Sequence, residues 1–139
     1  MSISVDNQTD FKIPLSRLEE IALSLSSREI ELIIIDTLAM RELNASTRAK
    51  DSATDVLSFP IDGEFEGLPL GSIVICDEFV YSGARAFGHS VDEEFILLFI
   101  HGLLHLLGFD HESDSGQMRE RERLLIEEFR LPDSLIVRS

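Results

Sequence analysis

The stretch Phe95 to His111, FILLFIHGLLHLLGFDH, sets three of the chain's four histidines inside its most apolar run. No other feature limits the fold as strongly. Residues this apolar belong in a core, yet every buried imidazole has two ring nitrogens that need partners once water is gone. His101 and His105 are four residues apart, so on a helix they stack on one face about one turn apart and both rings can reach a single point. Gly108 is suited to end that helix. A chain reversal there brings in His111 as a third nitrogen ligand and leaves the fourth tetrahedral position open for water or substrate, as catalytic zinc sites require. A shared cation is the economical way to satisfy all three rings.

A chain of 139 residues suits one domain, residues 1–139, with a core that needs neither disulfides nor a structural metal. The metal is therefore expected to be catalytic. The single cysteine, Cys76, lies in an apolar run and reads as a small buried hydrophobe, so no intramolecular disulfide forms and a reducing compartment is the natural setting. The opening MSISVDNQTDFK lacks a basic n-region and an apolar h-region, which points to the cytoplasm. Phe95 to Phe109 is too short to span a bilayer and carries two histidines, so no membrane association is expected. The net charge of −14, from 26 acidic and 12 basic residues, argues against DNA binding and against any broad electrostatic footprint for nucleic acid. Contact with RNA has to be local. Two basic groups stand out: Arg41, Arg48 and Lys50, and then Arg119, Arg121 and Arg123, which alternate with Glu120 and Glu122 and read as a solvated, salt-bridged face.

Periodicity predicts an α+β domain with a small mixed sheet packed with helices, the histidine helix buried in its core. Ser2 to Val5 reads as an edge strand, Pro14 to about Ser26 as an amphipathic helix, and Ile30 to Ile35 as a strand buried on both sides. Thr37 to Leu43 reads as a short helix, and Asn44 to Ala53, which has no apolar periodicity, as a surface loop. Thr54 to Phe59, stopped by Pro60, and Leu70 to Cys76 read as an antiparallel pair, since the turn-rich Ile61 to Pro69 is too short for a helical crossover. Asp77 is placed to cap a helix to about Phe87, and Ser90 to cap the next, with Asp92, Glu93 and Glu94 at its positive end. After a polar linker, Ser113 to Gly116, a last helix spans Gln117 to Phe129 with Met118, Leu124, Leu125 and Phe129 facing inward. The tail from Pro132 carries no signal.

As a pattern the central run is H-x-x-x-H-x-x-G-x-x-H, the ligand spacing of metzincin proteases, with Gly102 where their general-base glutamate stands. Ordinary proteolysis loses its usual base. Glu112, beyond the third histidine, is no obvious substitute and reads as solvent-facing. Asp110 is placed to accept a proton from an imidazole or to brace the turn, supporting the ligands from outside. His89 reads as a capping or surface residue.

The stretch His101 to His111, together with Leu43-Asn44, Arg48, Asp51 and the run Thr54-Asp55-Val56-Leu57-Ser58-Phe59-Pro60, closely resembles the YbeY family of bacterial rRNA maturation factors. Gly71-Ser72-Ile73-Val74-Ile75 extends the likeness, which runs from the strand at Ile30 to the last helix. The resemblance implies a metalloproteinase-like fold and a single-stranded RNA endonuclease. One zinc ion, or another divalent metal, would sit on His101, His105 and His111. The work implied is small-subunit rRNA processing, particularly at the 3′ end, and ribosome quality control, with the small ribosomal subunit and ribosome-associated proteins as partners of a monomer. It also matches Arg48 to the family's functionally important arginine, so catalysis is expected to rest on Arg48 and His105. The residues agree: a guanidinium beside an open metal site can grip the scissile phosphate and neutralise charge on its oxygens. Arg41 and Lys50 are expected to join Arg48 in a narrow positive channel for RNA, or a protein partner delivers the substrate. Either water or the RNA 2′-hydroxyl can serve as nucleophile. A divergent zinc metallopeptidase or other metal hydrolase, and a ribosome-associated factor with a structural metal, are the competing readings; Gly102 weighs against the peptidase.

Overall fold

The computed structural model describes residues 2–63 and 67–132. Part of the expected Ile61 to Pro69 connection, residues 64–66, and the tail beyond Pro132 lie outside the described residues. The elements run β1 (Ile3–Asn7), α1 (Leu15–Leu25), β2 (Ile30–Ile35), α2 (Thr37–Arg48), β3 (Val56–Pro60), β4 (Gly71–Cys76), α3 (Asp77–Phe87), α4 (Val91–Leu106) and α5 (Gln117–Phe129). The strands form one mixed sheet in the order β1-β2-β4-β3. β1, β2 and β4 are parallel, and β3 closes the far edge antiparallel to β4, as the short connection requires.

Period-two alternation sorts the strand residues between two faces. Ile30, Leu32, Ile34, Ile73 and Ile75 join the main core, shared with α1, α4 and α5. Ile35, Leu57, Val74 and Cys76 turn the other way and pack with Met40. β2 is not apolar on both sides throughout: Glu31 is exposed and accepts a 2.7 Å bond from Ser72 Oγ.

α4 is the central element. Ser90 caps it in a reciprocal box with Glu93, and its residues from Phe95 to Ile100 are all buried. Each such apolar side chain stabilises the fold by about 1.5–3 kcal/mol, so α4 is costly to displace and the side chains it carries have fixed positions. Glu94, at the positive start of the helix as expected, is 2% exposed and bonds His89 at 2.6 Å. The His89 side chain is accordingly not at the surface, while its backbone N–H closes the end of α3 on Ala84 O at 3.1 Å.

Three expectations need correction. α2 continues through the expected loop to Arg48, because Asn44 is buried one turn beyond Met40 and its amide donates to Ser52 O at 2.9 Å; Ala49 then ends the helix in the left-handed region. A polar side chain anchors that turn, so apolar periodicity does not reveal it. The cap of α3 is Cys76, while Asp77 sits within the first turn. In α5, Leu124 faces solvent and Glu122 takes the inward place between Met118 and Leu125.

Candidate metal centre

His101 and His105 leave one face of α4 with their Nε2 atoms 3.2 Å apart. Two nitrogens bound tetrahedrally at zinc distances are separated by about 3.3 Å, so this pair already has the spacing of adjacent ligands. His111 completes the cluster, its ligand atom and theirs all lying within 4.8 Å of one another.

The third histidine is delivered by the way α4 ends. Gly108, at φ 99°, takes the left-handed conformation after Leu107. Gly108 N then donates to His105 O and Phe109 N to Leu104 O, both at 3.0 Å, the paired bonds of a Schellman turn. The turn also presents Phe109 O to His105 Nδ1 at 2.9 Å. That carbonyl holds the ring with Nδ1 as donor and leaves Nε2 as the free lone pair. Burial, and then the neighbouring His101, hold His105 below the usual imidazole range, which keeps it in the neutral form a ligand needs.

On the other ring, His101 Nδ1 faces Glu122 Oε1 at 3.6 Å. His101 Nδ1, His111 Nδ1 and Glu122 Oε2 are buried with no hydrogen-bond partner. Two facing Nε2 atoms at ligand spacing, with a third imidazole beside them, make an all-nitrogen donor set that suits a zinc-like cation. The residues fit a single metal ion.

The cluster opens into a cavity of about 680 Å³ whose lining includes Arg48, Asp55, Ser58, Phe87 and Asp110. β3 supplies the wall opposite α4, and Gly102 lets the helix settle on the sheet: a Cβ there would lie 2.9 Å from Ile73 Cγ2 of β4 and 3.2 Å from Ser58 Oγ of β3. Position 102 has no room for a glutamate. Ser58 Oγ, at 3.2 Å from Gly102 O, ties the strand to the helix.

Arg48, on the last turn of α2, donates from Nη2 to Ser58 O at 3.0 Å and lies over the Phe59 ring at 5.6 Å. Arg41 and Lys50 do not line the cavity. Arg41 makes a two-pronged pair with Asp51, at 2.8 and 3.1 Å; that bond raises the pKa of the guanidinium and lowers that of Asp51. Instead of a three-cation channel, the described lining offers one Arg or Lys side chain beside two aspartates. Asp110 braces the turn, accepting from Glu112 N at 3.1 Å and Ser113 Oγ at 3.0 Å, which lowers its pKa. Asp55 likewise accepts from Val56 N at 2.8 Å.

Glu122, Asp55 and Phe87 are the cavity or cluster residues that the sequence reading passed over. Asp55 had left a signal in the Thr54 to Pro60 motif, and Glu122 in its helical spacing from Met118 and Leu125, obscured by the alternating charges around it.

Fold and site together define a small α+β domain with three converging histidines at the base of an open cavity. The family described as Endoribonuclease YbeY matches residues 5–130. Proteins named Endoribonuclease YbeY from Sulfurimonas denitrificans and Sulfurovum sp. are 56% and 53% identical to this chain; each match covers 99% of it, and 98% and 97% of the relative. The solution structure of TM1509 from Thermotoga maritima matches with a TM-score of 0.64 at 29% identity, covering 92% of this chain and 91% of that one. The chain belongs to the Endoribonuclease YbeY family, the family its motifs resemble.

Proposed function

We propose that this protein is a metal-dependent endoribonuclease of single-stranded RNA acting in small-subunit rRNA maturation, with His101, His105 and His111 holding one zinc or similar divalent ion. The observation that carries the reading is the placement of Arg48 in the same open cavity as the histidine cluster. A metal ion bound there supplies Lewis acidity toward a phosphate oxygen and eases deprotonation of water near neutral pH. The remaining work falls to the chain. Arg48 spends one of its five N–H donors on Ser58 O, which leaves others to grip the non-bridging oxygens of the scissile phosphate. Neutralising charge at that point favours the crowded transition state over the ground state. Asp55 and Asp110 border the cavity and give it two carboxylates able to accept a proton from water or from a 2′-hydroxyl. Phe87, 52% exposed on the rim, offers a ring for an unpaired base to stack on, a contact worth about 1–3 kcal/mol per base and closed to a base held in a duplex.

The net charge of −14 makes diffuse attraction to RNA weak. Arg41, held by Asp51, is left out of the direct contacts, and exposed Lys50 adds only long-range attraction. Ribosome-associated partners in the cytoplasm then bring a monomeric enzyme to its RNA. Among the described residues no helix is long and apolar enough to cross a membrane. Gly102, in place of the usual peptidase base, weighs against the peptidase reading.

The deciding test incubates purified protein with single-stranded RNA and with an unfolded protein substrate, alongside Arg48→Ala, His105→Ala and a chelator-treated sample. RNA cleavage that His105→Ala and the chelator abolish and Arg48→Ala strongly lowers is expected. Cleavage of protein but not RNA, or full RNA cleavage by both variants, would overturn the proposal.

A further inference from the structure

We infer that Glu122, on α5, is a positioning residue for the metal centre: its carboxylate accepts a hydrogen bond from Nδ1–H of His101 and so orients that ring toward the ion. The inference rests on the reading of the three histidines as a metal site. It begins with a carboxylate in an unusual place. Glu122 is 1% exposed, and a buried carboxylate is strongly disfavoured unless something compensates it. Among the described residues no arginine or lysine does so: its ion-pair partner is the His101 ring, with Oε1 3.6 Å from Nδ1, and its Oε2 has no hydrogen-bond partner. His101 Nδ1 is equally buried and unpartnered. An imidazole nitrogen that lacks a bond thus faces a carboxylate whose other oxygen also lacks one, across a gap a few tenths of an ångström longer than a hydrogen bond.

The metal-side geometry explains the arrangement. His101 Nε2 faces His105 Nε2, so with Nε2 committed to the ion its proton resides on Nδ1, on the Glu122 side. A carboxylate behind a ligating imidazole fixes the tautomer and raises the basicity of the bound nitrogen. His105 shows the neutral version of the same device, with Phe109 O behind its Nδ1 at 2.9 Å. The two helix ligands are thus backed differently, one by a turn of its own helix and the other by a separate helix. Met118 and Leu125, buried on the same face of α5, pack into the main core and set where Glu122 reaches. Docking of α5 thereby becomes part of building the metal site, a role that the charge pattern of the helix conceals.

The test is a metal titration of purified chain against a chromophoric chelator, using Zn²⁺, for wild type, Glu122→Gln and Glu122→Leu, with Glu120→Gln as a control on the exposed face of the same helix. The Gln variant keeps an acceptor and loses the charge; the Leu variant loses both. Affinity is expected to fall roughly 10–100-fold, more for Leu than for Gln, with the control unchanged and far-ultraviolet circular dichroism superimposable throughout. Wild-type affinity in the Gln and Leu variants would overturn the inference. Failure of the wild-type chain to bind Zn²⁺ would instead overturn the metal reading beneath it. A second measurement needs no variant: in the Zn²⁺-loaded wild type, long-range ¹H–¹⁵N spectra of the histidine side chains should show His101 protonated on Nδ1, with that proton shifted downfield and slow to exchange. A proton on Nε2, or rapid exchange at Nδ1, would also overturn it.

Discussion

The two ends of the cavity are built in opposite ways. At the histidine end, His101 and His105 stand on a helix buried along most of its length, and a Schellman turn sets the distance to His111. At the arginine end, Arg48 is exposed, sits in the final turn of α2 and is steadied by one carbonyl of β3 and one aromatic ring. A metal site tolerates little positional error, since ligand distances vary by about 0.2 Å. A long, flexible guanidinium can instead follow a phosphate as charge builds on it. The difference teaches that the rigid end and the adaptable end can be perturbed separately.

Replacing a ligand should have the largest effect: His105→Ala is expected to bring RNA cleavage to background and to abolish stoichiometric metal binding, read by metal analysis of the purified protein. Arg48→Ala should lower cleavage by on the order of 10²–10³-fold, the usual loss for one donor aimed at developing charge, while metal content stays at wild type. Loss of metal from the Arg48 variant would break the separation between the two ends. Phe87→Ala should weaken binding of single-stranded RNA by about 5–150-fold, the span of one stacked base, measured by anisotropy with metal-free protein, and leave duplex binding unchanged. Arg41→Ala should alter cleavage by less than about threefold, because its guanidinium is already committed to an exposed carboxylate; a drop as large as that of Arg48→Ala would extend the adaptable end beyond the cavity.

Acid probes the rigid end alone. His105 has a folded-state pKa lowered chiefly by burial, so below its ordinary value of 6.5 the unfolded chain binds the proton more readily than the folded one. Metal-free protein should therefore lose stability as pH falls through 6.5 and on toward the folded pKa, and keep the full contribution above that window. Urea midpoints across that range provide the check, and a midpoint that rises on acidification would contradict the neutral buried ring.

Residues whose position follows from their own helix or turn were legible in the sequence. The spacing of His101 and His105, Gly108 as the stop, Ser90 as the cap and the span of α5 all come from local rules that tertiary structure reinforces here. The misread positions depend on partners distant in sequence. Asn44 carries α2 to Arg48 by reaching Ser52, an interaction no apolar pattern records. Arg41 looked free until the fold set Asp51 against it. His89 and Glu94 hide each other from water, a pairing that neither residue's own place at a helix end reveals. Gly102 was legible as a missing base; the structure adds that the helix packs against the sheet where that side chain would have been.

The turn at Gly108 also bears on how the ion would come and go. Two ligands belong to a helix that opens only when the core does, whereas His111 follows a short turn near the surface, where local opening takes far less free energy. Release would then begin at His111, with the helix pair holding a partly bound ion that recaptures the third ring or loses the contest to solvent. The lifetime of the loaded enzyme becomes a property of one glycine-ended turn, and Gly108→Ala, strained at φ 99°, should shorten it, as stopped-flow chelation would record, while amide protons of α4 keep their protection.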